Sequence, residues 1–597
     1  MHKTPVRLSS PVEEIETHVP VLVIGSGYGG AVAASRLSRA GQRVFLFERG
    51  REFLPGELPK TSHAVAREFR VDSPLGAFSA GPGKHGFPEG GPANGLYQLH
   101  IDTRMCVLTG SGLGGTSLIN ANVVFRPDPR VFEDPRWPAE IRADAAAADG
   151  LLAQCMSDAE RMLGATTYPE TLPVPPKTAA LRAAAERLGQ PSHLVPLAVT
   201  FTDGPNAAGF EQRACTLCGD CLTGCNERAK NTLDRNYLPD AHRHGALIFT
   251  GVEVRRIERA EDRWAVYYRV LDAEGEGGDD AGDPDDAPPD QLITADLVVL
   301  AAGVLGTAQI LLRSRELGLA MSDKVGHHFS VNRNALGFGF DVTEPVRGIG
   351  FGDRPPESCP PVGPLITAAV DLRDTPDVDD GLIVEEGVVP GALASGFLAG
   401  IATAAAVLSV VRQPGGVPER KPHDGGLRAT LRALGDTVES AILGPTHGAL
   451  DRTLTLLAMG HDRSPGRLTY DGERVRVEWP EGLEGHAKAP TDAMERLVDA
   501  LGGTYVPNPA FAVLPWHPLI AVQPLGGCVL ADDAEQGAVN HAGKLFCDAQ
   551  GTAVHDGLLV LDASIVPRST GLNPLLTIAA LAERAIRLLV AERGWAP

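Results

Sequence analysis

The sequence predicts an α/β fold: a Rossmann-like nucleotide-binding domain of the two-dinucleotide-fold type, with an inserted α+β domain. Three observations carry this. Val21–Glu48 (VLVIGSGYGGAVAASRLSRAGQRVFLFE) sets an apolar strand, a glycine turn, an amphipathic helix and a second apolar strand in that order. Ala295–Leu300 is another buried-type strand, closed by Gly303 and Gly306 and followed by a helical pattern over Thr307–Leu312. The chain has 597 residues, 43% of them apolar and 22% charged, enough for two domains with substantial cores.

In the first unit each part has a physical task. Gly25 permits the tight turn, Gly27 lets the backbone approach a pyrophosphate, and Gly30 lets the helix pack on the strand. The helix N-terminus, with Tyr28 and Gly29 in its first turn, offers free N–H groups to the anion. Glu48, closing the second strand, can accept both hydroxyls of an adenosine ribose, and an acid there disfavours a 2′-phosphate. The unit therefore predicts bound FAD or NAD. A strand such as Ala295–Leu300 lies near the adenine in two-dinucleotide-fold flavoproteins, which favours FAD. Gly110–Gly115 (GSGLGG) repeats the glycine spacing, but Pro127 and Pro129 break the helix and strand that would have to follow. It is expected to be a loop with its backbone close to another group.

The formal net charge of −21 disfavours nucleic acid and anionic membrane surfaces as partners. Met1–Pro20 lacks a basic segment followed by an apolar run, so the cytoplasm is the expected compartment. Asp272–Asp290 carries many like charges and little apolar surface, and is expected to be a mobile acidic loop without the ligand spacing of a calcium site. Val388–Val411 has no charge in 24 residues, longer than the about 18 that suggest a membrane span. Pro390 and three glycines interrupt it, so it is expected to be a helix walling a cavity for a bulky apolar substrate, and stable membrane insertion is not expected.

Leu561–Glu583 (LDASIVPRSTGLNPLLTIAALAE), GSGLGGTSLINAN and the first unit together resemble the glucose-methanol-choline (GMC) family of flavin oxidoreductases. Within it the pairing of Gly571–Pro574 (GLNP) with Pro524–Cys528 (PLGGC) is most similar to bacterial cholesterol oxidases. The likeness covers the nucleotide-binding half well and is thin over residues 340–510. It implies that Gly112, Gly114, Gly115, Ser117 and Asn120 line the flavin, that Asp562 faces its pyrophosphate or ribityl chain, and that Val252 and Gly303 border it. It further implies that Asn573 sits beside flavin and substrate hydroxyl, with Pro574 starting a helix whose N-terminus favours negative charge on a reduced flavin.

The implied chemistry removes a hydride from an alcohol carbon and a proton from its hydroxyl. Glu385, in Gly381–Pro390 (GLIVEEGVVP), resembles the strand glutamate that serves as base, and its apolar surroundings are expected to raise its pKa. Its neighbour Glu386 must point to the opposite strand face. If neither enters a cavity, both are solvent-facing edge charges. Where the family places a histidine before PLGG this chain has Gln523, which can donate to the alcohol oxygen but cannot hold a proton. His517, six residues away, lies about 20 Å off along extended chain and is no easy replacement.

Cys215, Cys218, Cys221 and Cys225 have ferredoxin spacing, with Asn226 where that motif has proline. Clustered thiols in a reducing compartment more often hold metal than form disulfides, so an iron–sulfur cluster is expected, with structural zinc as the alternative. In two-cluster ferredoxins the fourth cysteine serves the other cluster. A single cluster here needs Cys225 to fold back, a remote ligand such as Cys106 or Cys359, or only three protein ligands. The resulting expectation is an FAD enzyme oxidising a hydrophobic, sterol-like secondary alcohol, with an electron-acceptor protein as a further partner. Its alternatives are a flavin-containing isomerase using Glu385 and an FAD/iron–sulfur electron-transfer protein. The FAD domain is expected over 1–150, 226–335 and 515–597, and the substrate domain over 151–225 and 336–514.

Overall fold

A computed structural model describes residues 7–73, 90–102, 104–271, 290–394, 447–481, 487–508 and 519–596. The acidic loop apart from Asp290, most of the apolar stretch after Val388, and His517 lie outside them. The nucleotide-binding core is an eight-stranded sheet built around His18–Ile24. That strand pairs in parallel with Val44–Glu48 on one side and Gln291–Leu300 on the other, and Leu247–Thr250 extends the sheet beyond Val44–Glu48. The long strand Gln291–Leu300 is shared on its outer edge. Its first half pairs antiparallel with Arg263–Val270, while Val298–Leu300 pair in parallel with Leu558–Val560.

Strand periodicity divides the apolar residues between two cores. Val21, Val23, Val44 and Leu46 face helices Tyr28–Arg39 and Leu575–Arg593. Leu22, Ile24, Phe45 and Phe47 face the opposite side, where helix Gly303–Glu316 buries Val304, Ala308 and Leu311. The turn glycines perform the tasks their spacing implies. Gly25 has φ +94°, and a Cβ there would stand 2.2 Å from the Ala301 carbonyl oxygen. A Cβ on Gly30 would meet the Gly25 carbonyl at 1.9 Å, which is the close helix–strand approach, whereas one on Gly27 would meet nothing within 4 Å. The room at Gly27 is where a ligand can approach the backbone.

A second, six-stranded sheet follows the order Thr504–Pro507, Ala335–Phe340, Leu454–Gly460, Leu382–Gly387, Ala368–Leu372, Ser192–Leu194. All its strand pairs are antiparallel, and helices Pro176–Arg187 and Lys488–Ala500 cover one face through Leu181, Met494 and Leu497. One assignment differs from the sequence reading. Helix Leu151–Leu163, expected in the substrate domain, packs on the C-terminal helix and buries Ala159, Met162 and Leu163 in the nucleotide-binding core. Its amphipathic pattern specifies a buried face but not the domain that buries it. Among the described residues no helix is long and apolar enough to cross a membrane.

Candidate active site

A long cleft opens where the carboxyl ends of the parallel strands meet the glycine turns, the region in which open α/β sheets bind ligands. Gly25, Gly27, Tyr28, Gly29 and Glu48 from the first unit line it, as do Val252 and Gly303. From the other segments come Gly115, Asn120, Asp562, Asn573 and Pro574. Four expected lining residues stand behind this wall: Gly30, Gly112, Gly114 and Ser117. Their part is to build it. The Ser117 hydroxyl donates to the Gly114 carbonyl at 2.6 Å and accepts from the Leu233 N–H, so it fastens the loop instead of facing a ligand. Gly115, at φ +54°, brings the second glycine run against the first, its notional Cβ 3.0 Å from the Gly27 Cα.

Glu48 is buried at the end of its strand and accepts from the Ser26 N–H and hydroxyl on one oxygen and from the Gly50 N–H on the other. Ser26 is a residue the sequence reading passed over. Its hydroxyl also accepts from the Gly114 N–H, tying both glycine loops to the acid. Asp562 accepts from Gly303 N, Thr307 Oγ1 and the N–H and hydroxyl of Ser564, joining the two helix starts that border the cleft. Burial pushes its pKa up, and these donors pull against that shift.

At the far end of the chain's order the catalytic candidates come together. Strand alternation sends Glu385 and Ile383 to one face and Glu386 and Val384 to the other. Neither glutamate is a solvent-facing edge charge: both are fully buried. Asn573 Nδ2 donates to Glu385 Oε2 at 3.3 Å, while Glu385 Oε1 and Asn573 Oδ1 are buried without a hydrogen-bond partner. Burial raises the Glu385 pKa to about 8, with the Asn573 hydrogen bond opposing and the neighbouring Glu386 charge assisting the shift. Glu385 does not itself line the cleft; Asn573 stands in front of it.

Gln523 does line the cleft, and its orientation comes from a residue the sequence did not single out. Asn332, wholly buried at φ +55°, donates from Nδ2 to Gln523 Oε1 at 2.9 Å and to the Leu572 carbonyl at 2.7 Å, and its Oδ1 accepts from the Thr570 and Gly571 N–H groups. With its oxygen so engaged, Gln523 presents its amide NH2 as donor. His461 lies behind Gly571 and turns Nδ1 toward the Ser569 carbonyl; burial lowers its pKa to about 4, and it does not line the cleft. It is no substitute for the missing histidine.

A family model for GMC oxidoreductases matches residues 21–333, and its C-terminal counterpart matches residues 518–582. The chain belongs to the GMC oxidoreductase family. A cholesterol oxidase of Mycobacterium tuberculosis is 27% identical, covering 95% of this chain and 90% of that protein. A cholesterol oxidase of Acinetobacter baumannii is 24% identical over 96% and 94%, and a long-chain-alcohol oxidase of Arabidopsis thaliana is 24% identical over 98% and 70%. Among solved structures, pyridoxine 4-oxidase from Mesorbium loti aligns with a TM-score of 0.55 at 16% identity, covering 96% of this chain and 99% of that one. This GMC oxidoreductase has a cleft that fits the family's FAD, on the open space at Gly27 and Gly303 and on the unpartnered oxygens beside Asn573.

The cysteine run Cys215–Cys225 folds against the apolar cluster that underlies Glu385, with Cys359 nearby. Among the described residues no group of three or more His, Cys, Asp or Glu side chains is placed to hold a metal ion. Neither the expected iron–sulfur cluster nor the zinc alternative finds support there, since ferredoxin spacing states how the cysteines follow one another in the chain and not whether the fold turns their sulfurs toward one centre.

Asn332→Ala is expected to destabilise the fold by about 2–4 kcal/mol, since two N–H groups and a carbonyl lose their buried partner, and to lower kcat by freeing the Gln523 amide to flip. Asn332→Asp keeps the acceptor for Thr570 and Gly571 and should recover stability more than kcat. Thermal unfolding and steady-state kinetics of both variants check this, and equal losses in the two measurements would make Asn332 a purely structural residue.

Proposed function

We propose that this GMC oxidoreductase oxidises a hydrophobic secondary alcohol of the sterol class to the ketone. The observation that carries the reading is the Glu385–Asn573 pair, two buried side chains each with one unpartnered oxygen, Asn573 lining the cleft and Glu385 behind it. Bound FAD supplies the hydride acceptor. The alcohol hydroxyl gives its proton to Glu385 Oε1 through one bridging water, since Asn573 stands between that carboxylate and the cleft, and the base is strong enough for this because burial has raised its pKa. Gln523 donates its amide N–H to the alcohol oxygen as negative charge develops there, and Asn332 holds it in that role. Asn573 keeps Glu385 and the hydroxyl in register. Val123, Val254, Val522 and Ile578 supply apolar wall, which suits a lipid-like alcohol better than a sugar. The likeness to cholesterol and long-chain-alcohol oxidases over nearly the whole chain supports the substrate class.

The test is anaerobic mixing of the flavin-loaded protein with sterols, linear long-chain alcohols, sugars and an unsaturated steroid ketone. Sterols are expected to bleach the flavin fastest and sugars not at all. Faster bleaching by linear alcohols would move the substrate class. No bleaching by any alcohol, with Glu385-dependent isomerisation of the enone, would replace oxidation by isomerisation.

A further inference from the structure

We propose that Lys230 is a positioning residue for the bound flavin: from behind the cleft wall it fixes the Asn120–Ala121 peptide and lends that end of the cleft a positive charge, which makes the flavin easier to reduce. The proposal rests on FAD occupying the cleft and not on which alcohol the protein oxidises.

Lys230 is 2% exposed. Its Nζ donates to three main-chain carbonyls, those of Leu118 at 3.1 Å, Asn120 at 2.7 Å and Cys221 at 3.1 Å. Three acceptors use all three N–H donors of an ammonium, whereas a neutral amine has only two, so the cage suits the charged form. Among the described residues no carboxylate pairs with it; Asp234, four residues on, is held by Arg235 at 2.7 Å. A buried cation is costly unless an anion accompanies it. The arrangement implies negative charge supplied by a ligand on the other side of the loop that Lys230 holds.

That loop is the cleft wall. Thr116, Asn120, Ala121, Asn122 and Val123 line the cleft, and Val123 belongs to one apolar cluster with Ile383 of the Glu385 strand and with Leu572, the residue before Asn573. The Lys230 charge therefore stands behind the end of the cleft where the catalytic candidates meet. In a trans peptide the C=O and N–H point in opposite directions, and the chain has no cis peptide among the described residues. The Asn120 carbonyl, turned to Lys230, thus sends the Ala121 N–H the other way. Ala121 lines the cleft, and among the described residues its N–H has no hydrogen-bond partner. On the cleft side the Asn120 amide donates to the Tyr28 hydroxyl at 2.7 Å, so this peptide is held from both directions. The lysine is itself anchored: Thr200 N donates to the Ala229 carbonyl at 2.8 Å and Asn231 N to the Ala198 carbonyl at 2.9 Å.

The effect on reduction follows from charge balance. Hydride transfer breaks the C–H bond of the alcohol carbon and carries its electron pair to the flavin, while the hydroxyl proton goes to Glu385 through the bridging water. The flavin ring gains one negative charge. A cation fixed in a buried site favours that gain more strongly than water does, and it needs no reorganisation as the charge develops. The Ala121 N–H, polarised by the ammonium behind its peptide, adds a donor on the same side. Gln523, in the place of the family's histidine, cannot take up positive charge, so a cation behind the wall matters more here.

The experiment needs no alcohol. The FAD-loaded full chain is reduced anaerobically beside reference dyes of known potential, and the affinity of its oxidised flavin for sulfite, an anion that also adds negative charge to the ring, is read from loss of visible absorbance. Lys230→Met keeps the length and removes the charge; it should make two-electron reduction about tenfold less favourable, or about 30 mV, and weaken sulfite binding in parallel. Lys230→Arg keeps the charge and should stay much closer to the wild type in both measurements, even where it unfolds at a lower temperature. A merely structural lysine would lower unfolding temperature and FAD content while leaving the potential of the retained flavin unchanged. That result, or an equal shift in both variants, overturns the proposal. Should neither variant hold FAD, the wild type decides: a potential above that of free FAD supports the proposal, and one at or below it overturns it. Failure of sterols to bleach the flavin does not bear on it.

Discussion

Glu385→Gln is expected to slow substrate-driven bleaching of the bound flavin by about 10²–10⁴-fold, the range for removing a positioned general base, with FAD content unchanged. The substitution keeps size and the hydrogen bond to Asn573 but removes the group that can take a proton. The pH dependence follows from the direction of the shift. With a pKa of about 8, Glu385 is mostly protonated at neutral pH and ionises as pH rises, so the wild-type rate should climb through about pH 8 and the variant should lack that limb. The stability effect has the opposite sense. A carboxyl whose folded pKa lies above its unfolded value favours the folded state at low pH, and that advantage disappears as pH rises from about 4.5 toward 8. The variant should therefore be relatively more stable than the wild type above pH 8. Rapid-mixing traces across pH and urea unfolding at two pH values read both effects. A variant that bleaches at the wild-type rate would place the base elsewhere.

The nucleotide-binding unit was legible because its information is local: glycines at fixed spacing, a helix between two strands and an acid at the end of the second. Strand alternation also separated Glu385 from Glu386 without any knowledge of the fold, since a period of two residues leaves no choice once the strand is recognised. What Glu386 faces was not legible, because Lys177 lies far away in sequence and nothing in the residues around it marks it as a buried cation. Asn332 was hidden for a related reason. Its four hydrogen bonds join the Leu572 loop to Gln523, and its left-handed backbone depends on that tertiary setting. For the second glycine run, the spacing announced close backbone approach but not its object: Gly112 and Gly114 approach the first loop and Ser26 instead of lining the cleft.

Lys177→Met should be the most destabilising single change near the site, at about 3–5 kcal/mol, the scale for leaving one member of a buried ion pair without the other. Lys177 and Glu386 are both fully buried and 2.5 Å apart. The lysine also donates to the Leu365 carbonyl and Thr367 Oγ1, while the carboxylate takes Thr178 Oγ1 at 2.7 Å and the N–H groups of Thr367 and Ala368 at 3.1 Å. Helix Pro176–Arg187 is thus bolted to the strand carrying Glu385 through one carboxylate. Without the ammonium, burial favours the protonated form of Glu386, so the variant should be less destabilised near pH 5 than near pH 8: the folded state then holds a proton that the unfolded chain releases. Lys177→Met/Glu386→Gln should recover much of the loss, because the amide oxygen still accepts from the two N–H groups and no charge is buried alone. Unfolding curves at the two pH values separate this account from simple loss of packing, in which the lysine variant would be equally weakened at both and the second substitution would restore nothing.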